Sequence, residues 1–195
     1  MILYLDHYDS FASILTDYIK QTGHKVHISR TDEPINSEQL NTYSHIIIGP
    51  GPGHPRELSH LYPIIKKAIT ESIPLLGVCL GHQLIAEYFG AEVSNASSIM
   101  HGQISKIIQN ECSKLYQSIP KELKVTRYHS LIVNANSMPD TLLVTALTQQ
   151  GEIMSFEHRA HPIYGVQYHP EAYLSEHGLA ILRNFIHLPQ ISNHL

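Results

Sequence analysis

The stretch at residues 74–90, PLLGVCLGHQLIAEYFG, constrains the fold more than any other part of the chain. Leu75, Leu76 and Val78 form the short apolar run of a buried parallel strand. Leu84, Ile85, Tyr88 and Phe89 then recur at helical spacing, and Gly90 supplies a C-terminal stop. A strand that passes straight into a helix commits the chain to α/β layering. Between the two lies Gly77-Val78-Cys79-Leu80-Gly81. A nucleophile between glycines at a sharp strand-to-helix turn is the elbow of α/β hydrolases, here with Cys in place of Ser. The glycines let the two elements pack closely, and the helix N-terminus favours thiolate at the sulfur. A buried Cys packs in most settings as a small hydrophobe. The flanking glycines and the helix directly after it set Cys79 apart.

The rest of the chain fits that layering. Residues 2–5 read as a strand, and Asp9 or Ser10 is suited to cap the helix carrying Phe11, Ile14, Leu15, Tyr18 and Ile19, which Gly23 stops. Val26 and Ile28 mark a second strand, residues 37–43 a short helix, and Ile46, Ile47 and Ile48 a buried third strand. A helix with Leu61, Ile64, Ile65, Ala68 and Ile69 inward precedes the Cys79 strand. The second half changes character. Residues 103–108, 124–128, 142–147, 153–157 and 163–168 read as strands with short connections, which implies antiparallel pairing. A last helix at 179–188 places Leu179, Leu182, Phe185 and Ile186 on one face. The predicted architecture is an open, mainly parallel sheet flanked by helices with an antiparallel extension.

Composition excludes several classes. A formal charge of −4 without a basic run argues against nucleic acid as a partner. No apolar stretch approaches the roughly 20 residues that span a bilayer, and the N-terminus reads as a first strand rather than a signal peptide, so a cytoplasmic protein is expected. Fifteen histidines invite a metal hypothesis, but they are scattered without ligand spacing, and no metal site is predicted. Of the two cysteines, Cys112 lies in a polar stretch and receives no role.

His169-Pro170-Glu171 closes the last predicted strand. Residues i and i+2 of a strand share a face, so His169 and Glu171 are expected to point together as a base and its orienting carboxylate. Gly49-Pro50-Gly51-Pro52-Gly53 follows the third strand. Its spacing is neither the dinucleotide fingerprint nor the P-loop, and two prolines delete donors that a phosphate cradle would use. A stiff loop with few N–H groups is suited instead to aiming one or two donors at an oxyanion.

Gly-Pro-Gly-Pro-Gly, Gly-Val-Cys-Leu-Gly-His-Gln, Arg-Tyr-His-Ser-Leu and Gly-Val-Gln-Tyr-His-Pro-Glu occur in that order. With them the chain resembles the class I glutamine amidotransferases of the triad type. More narrowly, it resembles the glutaminase subunits of anthranilate synthase and 4-amino-4-deoxychorismate synthase. The resemblance covers essentially the whole chain and implies one amidotransferase domain over residues 1–195. It implies a catalytic triad of Cys79, His169 and Glu171, and an oxyanion hole from the N–H groups of Gly51 and Leu80. It implies glutamine binding by Gly51, Pro52, Gly53, Leu80, Gln83, Ser130 and Leu131. It further implies L-glutamine as substrate, a chorismate-binding synthase subunit as partner, no cofactor in this chain, and Mg²⁺ only in that partner. The chain departs from the usual pattern at His7, Ala12 and Ala172, where Asn, Thr and Ser are usual. The resemblance leaves open whether the partner makes anthranilate or 4-amino-4-deoxychorismate. The look of residues 124–131 and 152–188 favours the 4-aminobenzoate side. The alternatives are a stand-alone γ-glutamyl hydrolase or cysteine peptidase with the same triad, and a binding subunit that keeps only the fold.

Overall fold

The structure is a computed structural model that describes residues 1–36, 38–110 and 113–189. Its first half runs β1 (Ile2–Asp6), α1 (Ala12–Gln21), β2 (Val26–Arg30), β3 (His45–Ile48), α2 (Tyr62–Thr70), β4 (Leu75–Val78) and α3 (Leu80–Tyr88). The second half runs β5 (Val93–Asn95), β6 (Gln103–Gln109), β7 (Glu122–Arg127), β8 (Leu131–Val133), β9 (Leu142–Thr148), β10 (Ile153–His158), β11 (Ile163–Val166) and α4 (Gly178–Ile186).

Among the described residues nine strands form one sheet in the order β2-β1-β3-β4-β11-β10-β9-β6-β7. β2, β1, β3, β4 and β11 are mutually parallel, and β10, β9, β6 and β7 continue the sheet antiparallel. β11 is the seam, parallel to β4 on one side and antiparallel to β10 on the other. The predicted parallel sheet with an antiparallel extension is therefore present. Alternation along the strands divides the core in two. Ile2, Tyr4, Ile47 and Leu76 pack with Leu15 and Ile19 of α1 and Leu182 and Phe185 of α4. Leu3, Leu5, Ile46 and Leu75 pack with Ile64 and Ile65 of α2 and Leu84 and Ile85 of α3.

Several expectations need correction. Ile14 is 41% exposed, because the buried stripe of α1 runs through Leu15, Thr16 and Ile19, and Ile14 lies one helical step to its side. In α4 the buried stripe is Gly178, Ile181, Leu182, Phe185 and Ile186, so Leu179 is only half-buried at its flank. The short helix expected at 37–43 is a single 3₁₀ turn, Gln39–Thr42, and Ser37 lies outside the described residues. β5 and β8 pair as a separate two-stranded ribbon that periodicity did not reveal. Three residues are too few to show a period of two.

The chain connectivity reverses direction between β1 and β3, the topological switch point of such a sheet. The loops leaving the C-terminal ends of β1, β3, β4 and β11 gather beside it, and the predicted chemistry lies on them, on the first turn of α3 or on the nearby 128–131 segment.

Candidate active site

Cys79 sits between β4 and α3 with φ 52° and ψ −100°, a strained conformation for a non-glycine residue. Its N–H donates to the Val166 carbonyl at 2.8 Å, and its carbonyl accepts from Gln83 N–H at 3.1 Å, so both flanks of the turn are tied. The glycines are demanded by close approach. A Cβ on Gly77 would lie 2.3 Å from the Gly81 carbonyl, and one on Gly81 would lie 2.2 Å from the Ile48 carbonyl oxygen. The first N–H groups of α3, beginning with Leu80, have no intrahelical acceptor and converge beside the sulfur. Cys79 itself is 6% exposed.

His169 and Glu171 are brought together, but not by a strand. β11 ends at Val166, and His169 is held by a lone bridge in which its N–H donates to the Thr126 carbonyl at 3.0 Å. A turn then closes from Ala172 N–H to the His169 carbonyl, with Pro170, which has no N–H to extend a ladder, inside it. The same-face expectation is corrected accordingly: the turn places Glu171 Oε1 2.6 Å from His169 Nδ1. Both side chains are buried. The imidazole is walled by Phe11 and Tyr128, whose ring centroids lie 5.4 and 5.2 Å from its own. Burial pulls this histidine down, but the sulfur of Cys79 and the carboxylate of Glu171 outweigh it and push it up to about 10. His169 Nε2 has no fully formed hydrogen bond among the described residues, so Cys79 acts on it as a close neighbour rather than a settled partner.

A cavity of about 190 Å³ opens over the sulfur. It is lined by Gly51, Pro52, Gly53, Cys79, Leu80, Gln83, Tyr128, His129, Ser130 and Leu131. Every residue expected from the resemblance to bind glutamine is therefore on its wall. Gln83 is tied inward as well, donating from Nε2 to the Leu131 carbonyl (2.9 Å) and to Gln167 Oε1 (3.0 Å). The site residues that sequence reasoning missed are Phe11, Tyr128, His129 and Gln167. Tyr128, His129 and Gln167 lie within quoted motifs and Phe11 beside the first helix, but their roles depend on contacts across the fold. His129 is pushed down to about 4, chiefly by burial and then by the adjacent Arg127 charge. Arg127, also buried, is neutralised by Glu152 at 2.6 Å.

A cysteine poised beside a charged imidazole, a helix N-terminus and a small polar cavity can attack an acyl carbon and hold the resulting oxyanion. Among the described residues no group of three or more His, Cys, Asp or Glu side chains is arranged to hold a metal ion. Nor is any described helix long and apolar enough to cross a membrane. Cys112 lies outside the described residues.

Comparison with known proteins agrees with this geometry. The family model described as glutamine amidotransferase class-I matches residues 3–188. The "Aminodeoxychorismate/anthranilate synthase component 2" of Bacillus subtilis is 40% identical over 188 residues, 95% of each chain. The "Bifunctional protein TrpGD" of Thermotoga maritima is 38% identical over 193 residues, and the match covers 97% of this chain but only 32% of that protein. Among solved structures, a glutamine amidotransferase from Thermotoga maritima superposes with a TM-score of 0.75 over 95% of each chain. At 18% identity that likeness speaks to the fold alone.

Proposed function

The chain belongs to the class-I glutamine amidotransferases, and we propose on that premise that Cys79, His169 and Glu171 hydrolyse L-glutamine to supply ammonia to a chorismate-aminating synthase subunit. The observation that carries the reading is the buried His169–Glu171 pair behind a strained cysteine at the floor of a polar cavity.

Cys79 Sγ attacks the side-chain carbonyl carbon of glutamine. The N–H groups of Leu80 and Gly51 receive the oxyanion, each contributing about 3–4 kcal/mol if comparable to a known oxyanion donor. His169 gives its proton to the departing ammonia, leaving a γ-glutamyl thioester. Acylation removes the sulfur's charge, which helps to hold the ring protonated. The same imidazole is then free to take a proton from water, and glutamate leaves. Glu171 keeps the ring oriented through both steps.

The relatives' names support a synthase partner, and the near-complete overlap with the Bacillus protein supports a single amidotransferase domain over residues 1–195. The product is anthranilate, 4-amino-4-deoxychorismate or both. We assign any Mg²⁺ to the partner and none to this chain, and place the complex in the cytoplasm. The test is Cys79→Ala in the assembled complex. Glutamine-dependent amination should be abolished and ammonia-dependent amination retained. Loss of both in a folded complex would contradict the division of labour. Robust hydrolysis of γ-glutamyl peptides by the wild-type chain alone would favour the stand-alone hydrolase.

A further inference from the structure

Gln167, one residue after β11, is fully buried and has no place in the chemistry described so far. Its N–H donates to the Met154 carbonyl at 2.9 Å, which fixes its backbone against β10. Its carboxamide lies between Gln83 and Cys79, with Oε1 3.0 Å from Gln83 Nε2 and Nε2 3.7 Å from Cys79 Sγ.

Which end of that carboxamide faces the sulfur follows from the neighbouring groups. A backbone carbonyl can only accept, so the Leu131 oxygen requires the nitrogen of Gln83. That nitrogen also faces Gln167, which must therefore present its oxygen. The nitrogen of Gln167 is left for the sulfur. The far side of Leu131 is equally determined. Arg127 can only donate, so its Nε proton makes His129 Nε2 an acceptor, and His129 Nδ1 carries the proton that meets the Leu131 carbonyl at 2.9 Å. Both donors converge on the same carbonyl, which pins Gln83 in place. Reversing either carboxamide would oppose like ends.

We propose that Gln167 is a positioning residue for Cys79: its carboxamide, locked by Gln83, donates an N–H to the sulfur and favours the thiolate in the orientation that faces the cavity. The inference rests on Cys79 being the nucleophile. A hydrogen bond to the charged form stabilises that form, and one to a thiolate is stronger than one to a thiol. Other titratable or charged groups surround the sulfur. His169 and Glu171 follow β11, Tyr128 and His129 line the cavity, and Arg127 stands behind His129. Asp9 acts on His169, and His82 of α3 packs on Phe156. The effect of Gln167 must therefore be read as a difference between variants.

The experiment is the pH dependence of Cys79 alkylation by iodoacetamide, followed by mass spectrometry of the Cys79 peptide. Gln167→Met keeps the side-chain length and removes the donor. The midpoint should move to higher pH, so that alkylation below it slows about tenfold, and Gln167→Glu should move it further. An unchanged midpoint in folded Gln167→Met would overturn the proposal. If that variant does not fold, the wild type decides. The Gln167 side-chain ¹⁵N–¹H resonance should titrate with the alkylation midpoint and cease to do so in Cys79→Ala, and a resonance indifferent to Cys79 would overturn the proposal. Protection of Cys79 by glutamine, measured alongside in the wild type, tests the nucleophile assignment separately.

Discussion

Replacing Glu171 by Gln removes a charge 2.6 Å from His169 and almost no volume. Raising the ring from its ordinary 6.5 to about 10 corresponds to about 5 kcal/mol of net preference for the protonated form. Burial works against that preference, so the Cys79 sulfur and the Glu171 carboxylate together supply more than the net figure. With only the sulfur left, the ring should lose its proton at least about one pH unit lower. The sign is set by the direction of the change. A raised imidazole keeps its proton at neutral pH and loses it as pH rises through about 10, and with it the ability to protonate ammonia. The assay is kcat/KM for glutamine hydrolysis in the complex across the alkaline range. The wild type should hold its rate until near pH 10, whereas Glu171→Gln should decline earlier. The variant should also lose about 10²–10⁴-fold at its optimum, since an amide no longer enforces the productive tautomer. The loss should be smaller than that of His169→Ala. An alkaline limb identical to wild type, or a loss exceeding that of His169→Ala, would refute the reasoning.

Three further outcomes follow from the same structure. Gly81→Ala forces a Cβ to within 2.2 Å of the Ile48 carbonyl oxygen, so it should cost about 1–3 kcal/mol in urea unfolding, and an unchanged midpoint would contradict the close approach. Burial pulls His82 down to about 3 and His45 to about 4, while burial and then Arg127 pull His129 to about 4. Below pH 6.5 the unfolded chain therefore binds protons that these folded rings refuse, and urea unfolding at pH 5.5 should show net proton uptake and lower stability than at pH 7. The isolated chain should hydrolyse glutamine slowly and accelerate on titration with its synthase partner; a high rate unchanged by saturating partner would remove that coupling.

The elbow was legible because its signals are local. An apolar run, a nucleophile between glycines and a helical period lie within one stretch, and Gly77 is needed for a contact inside it, whereas Gly81 is needed for the close approach of Ile48 on β3. His169 and Glu171 are legible as a pair, but the reason they meet is not. Strand periodicity suggested a shared face, whereas a turn after β11 does the work. Gln167 shows where local reading stops. Its partners, Gln83 and Cys79, are 84 and 88 residues away, and no spacing rule connects them. Phe11 and Tyr128 were visible as helix and strand residues, and only the packed fold places their rings against one imidazole. The exposed Ile14 marks a similar limit, since apolar spacing defines a stripe but not its centre when neighbouring positions also carry large side chains.

The central claim is covalent chemistry at Cys79, and acid quenching of the complex during glutamine turnover tests it most directly. Intact-mass and peptide analysis should find a γ-glutamyl group on the Cys79 peptide, absent in Cys79→Ala. Steady release of glutamate with no adduct at Cys79, or undiminished turnover by Cys79→Ala, would contradict the account.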